Sequence, residues 1–560
     1  MRATDELRLD APLGGPSRHR SLWLEQALAD EAGAAAPADP LDGARRADVC
    51  VVGGGYVGLW TALRVRELAP DAHVVVLEAD VCGAGASGAN GGFALSWWPK
   101  IATLLARCGP HEDEAYRLAR ASAAAVGELA AFCDAHGIDA EPRRGGWLWT
   151  ATSRAQLGAW RDAVALARAH GDEPFAELTA GELAERTGSR AHLGGVLEAG
   201  AATLQPARLA RGLRAVALSA GVEIHERTPV VALDVARGVV RTATAGGSGV
   251  GGRDGAAGGS RATGEHERAA GERAGGVSGR MHVASGSVEA GAIVLATNAW
   301  AAGLRPLRGA LAVVSSDVVA TAPLPDALAA SGWRGGEAIS DSRLRVNYWR
   351  TTPDGRVAFG KGGGALAYGG HVGTRFDRPG ARAREVAAEL ARLVPAAAGV
   401  PLAAAWGGAI DRSLDGLPFF GVLGGESGRG GARRPAGVDE HGGASGRGGV
   451  GGRGGAGKAA GAPRVVYGLG FSGNGVAPAL LAGRVLASLA LGREDEWSGC
   501  GLTGGPPGRF PPEPIRFLGG QLVRRAVARK ERREDAERPV GPFTRSLAAL
   551  APPGFARGTR

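Results

Sequence analysis

Three glycines and one acid carry the first chemical signal in this chain. Gly53, Gly55 and Gly58 stand as GxGxxG in "ADVCVVGGGYVGLWTAL", and Glu78 follows twenty residues after Gly58. In such a pattern the first glycine permits a tight turn, the second lets the backbone approach a pyrophosphate, and the third lets a helix pack on a strand. The unpaired N–H groups and positive dipole end of that helix favour the anion. An acid at Glu78 suits the adenosine ribose hydroxyls. The elements that must position these residues are legible. Val51 and Val52 end a strand, "YVGLWTALRVREL" has helical spacing, and "HVVVLE" reads as a second strand. The spacing predicts a dinucleotide site. NAD and FAD use the same device, so this motif alone leaves the choice between them open.

Two further stretches bear on that choice. A simple NAD domain would continue into another βα unit after Glu78. Here "ADVCGAGASGANGGFALSWWPK" follows, a run of small residues from Gly83 to Gly92 with Ser87 and Asn90 as its polar members. A long loop of exposed N–H groups suits a flat, heteroatom-rich ring; the plainer alternative is a surface loop. Far downstream, "RVVYGLGFSGNGVAPALL" sets Gly468, Gly470, Gly473 and Gly475, with Ser472 and Asn474 between them, before a helix from about Val476. Amides at a helix start stabilise negative charge such as that on the pyrimidine edge of a reduced flavin. The alternative is a glycine turn before a core helix.

With these segments in place the chain resembles the D-amino-acid-oxidase-like superfamily of FAD-dependent oxidoreductases. It is most similar to the γ-glutamylputrescine oxidoreductase branch, whose loop has the form GASGxNGG, here Gly85 to Gly92. "TLQPARLARGLRAVALSAGVEIHERTPVVAL", "AGAIVLATNAW" and "AAAWGGAIDRSLDGLPFFGVL" extend the resemblance. It implies an α/β (α+β two-domain) fold of the glutathione-reductase and D-amino-acid-oxidase type: a Rossmann-like FAD-binding domain and an antiparallel-sheet substrate domain roofing the flavin. The expected FAD-binding domain is discontinuous: residues 47–110, 191–245, 280–305, 405–424 and 462–495. Residues 111–190 and 306–404 form the expected substrate domain, and 496–560 a basic C-terminal extension. Within the cofactor set the resemblance places Val230 against the adenine and Thr297 under the cofactor. It adds these to Gly53, Gly55, Gly58, Glu78, Ser87, Gly88, Asn90, Gly91, Gly92, Gly470, Ser472, Gly473, Asn474 and Gly475. Under the resemblance, covalently linked relatives attach FAD through a histidine in the loop after the first ribose strand or a cysteine before the last cofactor strand; the loop from Gly83 to Asn90 has no histidine and "GGAIDRSLDG" no cysteine, so the resemblance implies non-covalent FAD.

On the substrate side, "LRVNYWRTTPDGRVAFGKGGG" alternates like a hairpin turning at Pro353-Asp354-Gly355. Tyr348 and Arg350 share one face of its first strand, because side chains repeat every two residues. Under the resemblance that face roofs the active site, which makes both candidates for substrate contact. The alternative is a half-buried strand with a solvated arginine. Lys361 and His371, lone basic residues near a loop, are weaker candidates. Amino-acid oxidases of the superfamily carry an arginine that clamps the substrate carboxylate, and Ile410 stands in its place here. The implied reaction is oxidation of a small primary or secondary amine, with oxygen or another acceptor taking the electrons. A deaminating amino-acid oxidase or dehydrogenase, and a non-catalytic flavoprotein that holds a partner, are the competing readings. No metal constellation is visible.

Composition adds bounds. The chain has 560 residues and 95 glycines, with 13 glycines in residues 246–280 and 17 in 424–461. Segments 246–280 and 425–461 lack apolar periodicity and read as disordered insertions at loop tips. The net charge is +9, of which residues 511–560 carry +6. The body lacks the clustered basic and aromatic pattern of a nucleic-acid face. Five cysteines without CxxC or Cys/His spacing, no secretory leader and no apolar run near 18 residues point to a cytoplasmic protein. The tail predicts a helix after Pro514 with Phe517, Leu518, Leu522 and Val523 on its apolar side. Docking on the body with its charges toward water is favoured over lying on a membrane.

Overall fold

The valine runs flanking the glycine turn become fully buried strands. Every residue of Val49–Val52 and of Val74–Leu77 is buried, the pattern of parallel strands covered on both faces. The computed structural model describes residues 7–9, 11–15, 19–31, 38–243, 284–333, 335–373, 376, 380–424 and 462–552. The Gly-rich segments 246–280 and 425–461 lie outside these residues. Strand β1 (Gly43–Val52), helix α1 (Tyr56–Leu68) and strand β2 (Val74–Leu77) form the expected βαβ unit. Strand β3 (Ala284–Leu295) runs parallel on the other side of β1, with Val52 level with both Leu77 and Leu295. The three strands therefore end together. Gly53 N donates to Leu77 O at 2.8 Å and Ala296 N to Val52 O at 2.9 Å. Beyond β3 the sheet continues antiparallel through Val239–Ala243 and Val230–Asp234, and beyond β2 it ends at Glu223–His225.

The second sheet contains β4 (Ala312–Thr321), β5 (Asn347–Thr351), β6 (Val357–Lys361) and β7 (Leu402–Arg412). Its order is β7, β4, β6, β5, then Ala338–Asp341, Trp147–Ala151, Gly194–Glu198 and Ala176–Leu178. The hairpin of β5 and β6 turns where expected, with Gly355 at φ +76°, a conformation glycine adopts without strain. Three details differ from the sequence reading. Gly194–Glu198 and β7 from residue 405 on, expected in the cofactor domain, pair instead within this second sheet. Ala338–Asp341 runs parallel to Trp147–Ala151, so the sheet is mixed; four strands of the cofactor sheet, from Glu223–His225 to β3, intervene between those strands in sequence, which frees them from hairpin geometry.

Strand β8 (Arg464–Leu469) returns to the first sheet parallel to β3 and feeds helix α2 (Pro478–Leu491). The helix starts two residues later than expected, with Pro478 suited to its first turn. A Cβ on Gly483 would lie 2.7 Å from Trp60 Cβ, so glycine permits the close crossing of α2 over α1. The extension contributes α3 (Ile515–Asp535) and α4 (Pro542–Ala548). It docks on the body as expected, with Val523 and Phe517 turned partly inward but Leu518 and Leu522 turned out. The buried members of α3 are Arg516, Ala526, Val527 and Glu531. Asp535 pairs with Arg343 at 2.7 Å, and Glu531 accepts Arg345 N–H at 2.9 Å. The body offers guanidinium and main-chain donors at this place, so the helix turns acids inward and leaves Leu518 and Leu522 exposed. Among the described residues no helix is long and apolar enough to cross a membrane.

Candidate active site

A cavity of about 510 Å³ runs along the level ends of β1, β2 and β3 and on beneath the second sheet. Its first part is the glycine turn. Gly53 has φ +111°, and a Cβ there would lie 2.6 Å from Ala296 O. A Cβ on Gly58 would fall 1.9 Å from Gly53 O, so only glycine lets α1 start this close to the turn. Glu78 closes the far side. Its carboxylate accepts N–H from Gly54 at 2.7 Å and from Asp80 at 3.0 Å. Burial pushes its carboxyl up to about 7 against the pull of those donors. Ser87 Oγ accepts Tyr56 N–H at 2.9 Å, tying the small-residue loop to the start of α1.

The cavity wall includes Gly53, Gly55, Glu78, Ser87, Asn90, Gly91, Val230, Thr297, Ser472, Gly473, Asn474, Gly475 and Tyr348. The structure thus brings together most of the residues that the sequence singled out. Gly58, Gly88, Gly92 and Gly470 stand just behind the wall and shape it. A Cβ on Gly88 would lie 2.3 Å from Gly83 O, and one on Gly92 2.0 Å from Leu204 O. Gly470 N donates to Asp411 Oδ2 at 2.6 Å. Asn90 lines the wall but its side chain serves its own loop, donating to Ala86 O and Ser87 O and accepting from Gly92 N.

Three buried side-chain oxygens on this wall, Thr297 Oγ1, Asn298 Oδ1 and Asn474 Oδ1, have no protein partner. Asn298 and Ser472 hold φ of +47° and +57°, a conformation that costs non-glycine residues energy. Orphaned acceptors, strained backbone and glycines cleared of side chains are what a bound dinucleotide would complete. The residues present fit FAD.

Tyr348 and Arg350 part company. Tyr348 faces the cavity, hydrogen-bonded to Ser316 Oγ at 2.9 Å and edge-on to Phe93, and burial pushes its phenol up to about 12. Arg350 is fully buried and outside the cavity wall. It donates to Gly91 O at 2.9 Å and Leu204 O at 2.8 Å, with its guanidinium 4.8 Å from the Trp23 ring. The expected substrate contact is therefore corrected to a loop-holding part, because these carbonyls lie nearer than the cavity. Lys361 is likewise buried and not solvated, donating to Asn347 Oδ1 at 2.9 Å and paired with Glu389 at 3.2 Å. His371 does reach the wall. Arg350→Met should lower stability by about 3 kcal/mol, since two charge-assisted hydrogen bonds go and two carbonyls lose their donors. Urea unfolding with the absorbance ratio of bound FAD checks this; an unchanged midpoint would sink it.

Several wall residues had no place in the sequence reading: Lys100, Ser316, Arg343 and Arg412. Lys100 is buried and donates to Gly416 O. Burial, with Arg412 nearby, lowers its ammonium to about 7 against the pull of Asp415. Its one signal was position: a lysine directly after Trp-Trp-Pro sits in an apolar run. Arg343 is engaged by Asp341 at 2.8 Å and Asp535 at 2.7 Å. Ile410 lines the wall, its Cδ1 3.5 Å from where a Gly473 Cβ would stand.

A βαβ dinucleotide unit whose cavity continues beneath a second, mixed sheet is the layout of a FAD-dependent oxidoreductase. Residues 48–489 match the DAO family of FAD dependent oxidoreductases, and the chain belongs to that family. It is 24% identical over 469 residues to the probable oxidoreductase OrdL of Haemophilus influenzae, covering 82% of this chain and 86% of that protein. It is 25% identical over 469 residues to the gamma-glutamylputrescine oxidoreductase of Escherichia coli K12, with the same coverage. Among solved structures, glycine oxidase from Geobacillus kaustophilus superposes with a TM-score of 0.53 at 20% identity, covering 80% of this chain and 96% of that one. L-amino acid deaminase from Proteus vulgaris gives 0.55 at 15% identity, covering 84% and 99%. These two show the fold.

Proposed function

We propose that this oxidoreductase oxidises the C–N bond of a small primary or secondary amine, of the kind named for its gamma-glutamylputrescine-oxidising relative, and holds its FAD without a covalent bond. The observation that carries this reading is Ile410 on the cavity wall, at the position where the superfamily's amino-acid oxidases have their carboxylate-clamping arginine. Bound FAD supplies the hydride acceptor. The chain's own residues do the rest. Tyr348 and Ser316 offer a hydrogen-bonded hydroxyl pair to orient the amine, while Val314, Val346 and Phe471 give the substrate end apolar walls that exclude water. Lys100 lines the same cavity, with its Nζ on Gly416 O, and is the group we assign to take the proton from a bound ammonium, leaving the neutral amine that C–N oxidation requires.

A second reading, an amino-acid substrate, is favoured by one observation: Lys100 and Arg412 both line this cavity and could receive a carboxylate. Anaerobic mixing separates the two. Flavin bleaching by an acylated diamine should outrun bleaching by glycine or D-alanine by about tenfold or more, since an unclamped carboxylate is buried at a cost. Amino acids reacting faster by that margin would replace the first reading with the second.

A further inference from the structure

The six large apolar side chains that are more than half exposed among the described residues all lie at the C-terminal extension. Ile515 (62%), Leu518 (59%) and Leu522 (53%) are on α3, Phe543 (79%) is on α4, Leu550 (71%) follows α4, and Tyr368 (58%) lies in the loop against α3. Tyr368 packs edge-on to Phe517 of α3 at 5.5 Å. Three of the six fall on one face of α3, because Ile515, Leu518 and Leu522 are spaced by three and four residues. The same spacing continues through Arg525, Arg529 and Arg532, each exposed. One helix face therefore carries three apolar side chains followed by three guanidinium groups, while the opposite face is fixed to the body through Arg516, Ala526, Val527 and Glu531.

We propose that this face of α3 docks the enzyme on an anionic lipid surface. Single exposed apolar residues need no explanation, but three on one helix face beside a basic row do. Apolar side chains seated among headgroups, with arginines toward anionic phosphates, is how an interfacial helix binds. The charge argues for lipid over a second copy of the chain, because apposed faces would set Arg525, Arg529 and Arg532 against their own likeness. The Gly-rich segments are poor material for a cover, since 246–280 and 425–461 hold between them four valines and no larger apolar side chain. The face also adjoins the cavity. Arg524 of α3 donates to Gly363 O at 3.2 Å, and Gly363 is on the cavity wall.

The test is co-sedimentation of the full-length, FAD-loaded protein with vesicles of phosphatidylcholine alone and of phosphatidylcholine with phosphatidylglycerol. Binding should require phosphatidylglycerol and weaken as ionic strength rises. Arg525→Glu/Arg529→Glu/Arg532→Glu should weaken it by about a hundredfold, and Leu518→Ser/Leu522→Ser by about tenfold. All five side chains point to solvent, so FAD content should stay unchanged and report that the fold is intact. No binding to phosphatidylglycerol vesicles, or binding indifferent to both variants, would overturn the proposal. So would a concentration-dependent dimer that Leu518→Ser/Leu522→Ser dissociates, which would give the face to a second copy.

Discussion

Lys100→Met should slow amine oxidation at neutral pH by about a hundredfold or more, the usual scale for loss of a positioned proton acceptor. It should also remove the rise in kcat/KM through about pH 7. The direction follows from the charge states. Only the neutral amine of Lys100 accepts a proton, and burial brings its ammonium down to about 7, so the active form accumulates as pH rises through that value. The groups facing it set the balance. Arg412 pushes the proton off, Asp415 holds it on, and Asp415 is itself paired with Arg107 at 2.6 Å. Glu78 and Asp411 on the same wall are each pushed by burial to about 7, so the wild-type profile alone does not assign the limb; the comparison with Lys100→Met does. Lys100→Arg keeps the charge but does not become neutral in this range. It should fail to restore activity if Lys100 takes a proton, and should restore it if the side chain holds a substrate carboxylate. A steady-state profile of Lys100→Met that keeps its rise would end the proton-acceptor reading.

The cofactor half was legible because glycine there answers a steric demand that nothing else meets. Gly53, Gly55 and Gly58 leave a spacing in sequence, and the buried valines beside them have no other use. The substrate half was less so. Alternation placed Tyr348 and Arg350 on one face correctly, but a shared face does not say which side chain meets a cavity and which meets the backbone of a neighbouring loop. Arg350 found Gly91 O and Leu204 O, partners more than a hundred residues away that no local pattern announces. Arg412 was unreadable for the same reason, and Lys100 nearly so, its apolar neighbours Trp97 and Trp98 apart: their significance is the desolvation they share across distant segments. The extension failed differently. Its helix was right, but the apolar side was assumed to be the docking side. That rule holds for Val523, which packs with Ala526 and Val527 beside Leu344, and fails for Leu518 and Leu522, because the rest of the receiving surface offers Arg343 and the N–H of Arg345.

Glu226→Gln should cost about 3–5 kcal/mol, the scale for breaking a buried ion network by removing one charge. Glu226 is fully buried at the heart of the cofactor half. Its carboxylate meets Arg211 Nη1 at 2.8 Å and Arg214 Nε at 3.1 Å, and it accepts N–H from Cys82 at 2.7 Å and Ala38 at 2.9 Å. It thus holds the residue that opens the small-residue loop and the segment leading into β1. Burial alone would raise its pKa, but Arg211 and the other donors outweigh burial and hold it below the ordinary glutamate value. A carboxyl depressed in the folded state adds stability that is complete above its unfolded pKa and is lost as pH falls through the folded one. The glutamine variant does not titrate there. The gap in unfolding free energy between wild type and Glu226→Gln should therefore be widest near neutrality and close as the solution is acidified below the ordinary glutamate range. Urea unfolding of the FAD-loaded proteins across that range measures it. A gap that keeps its size on acidification would mean that shape, and not charge, is what Glu226 contributes at this position.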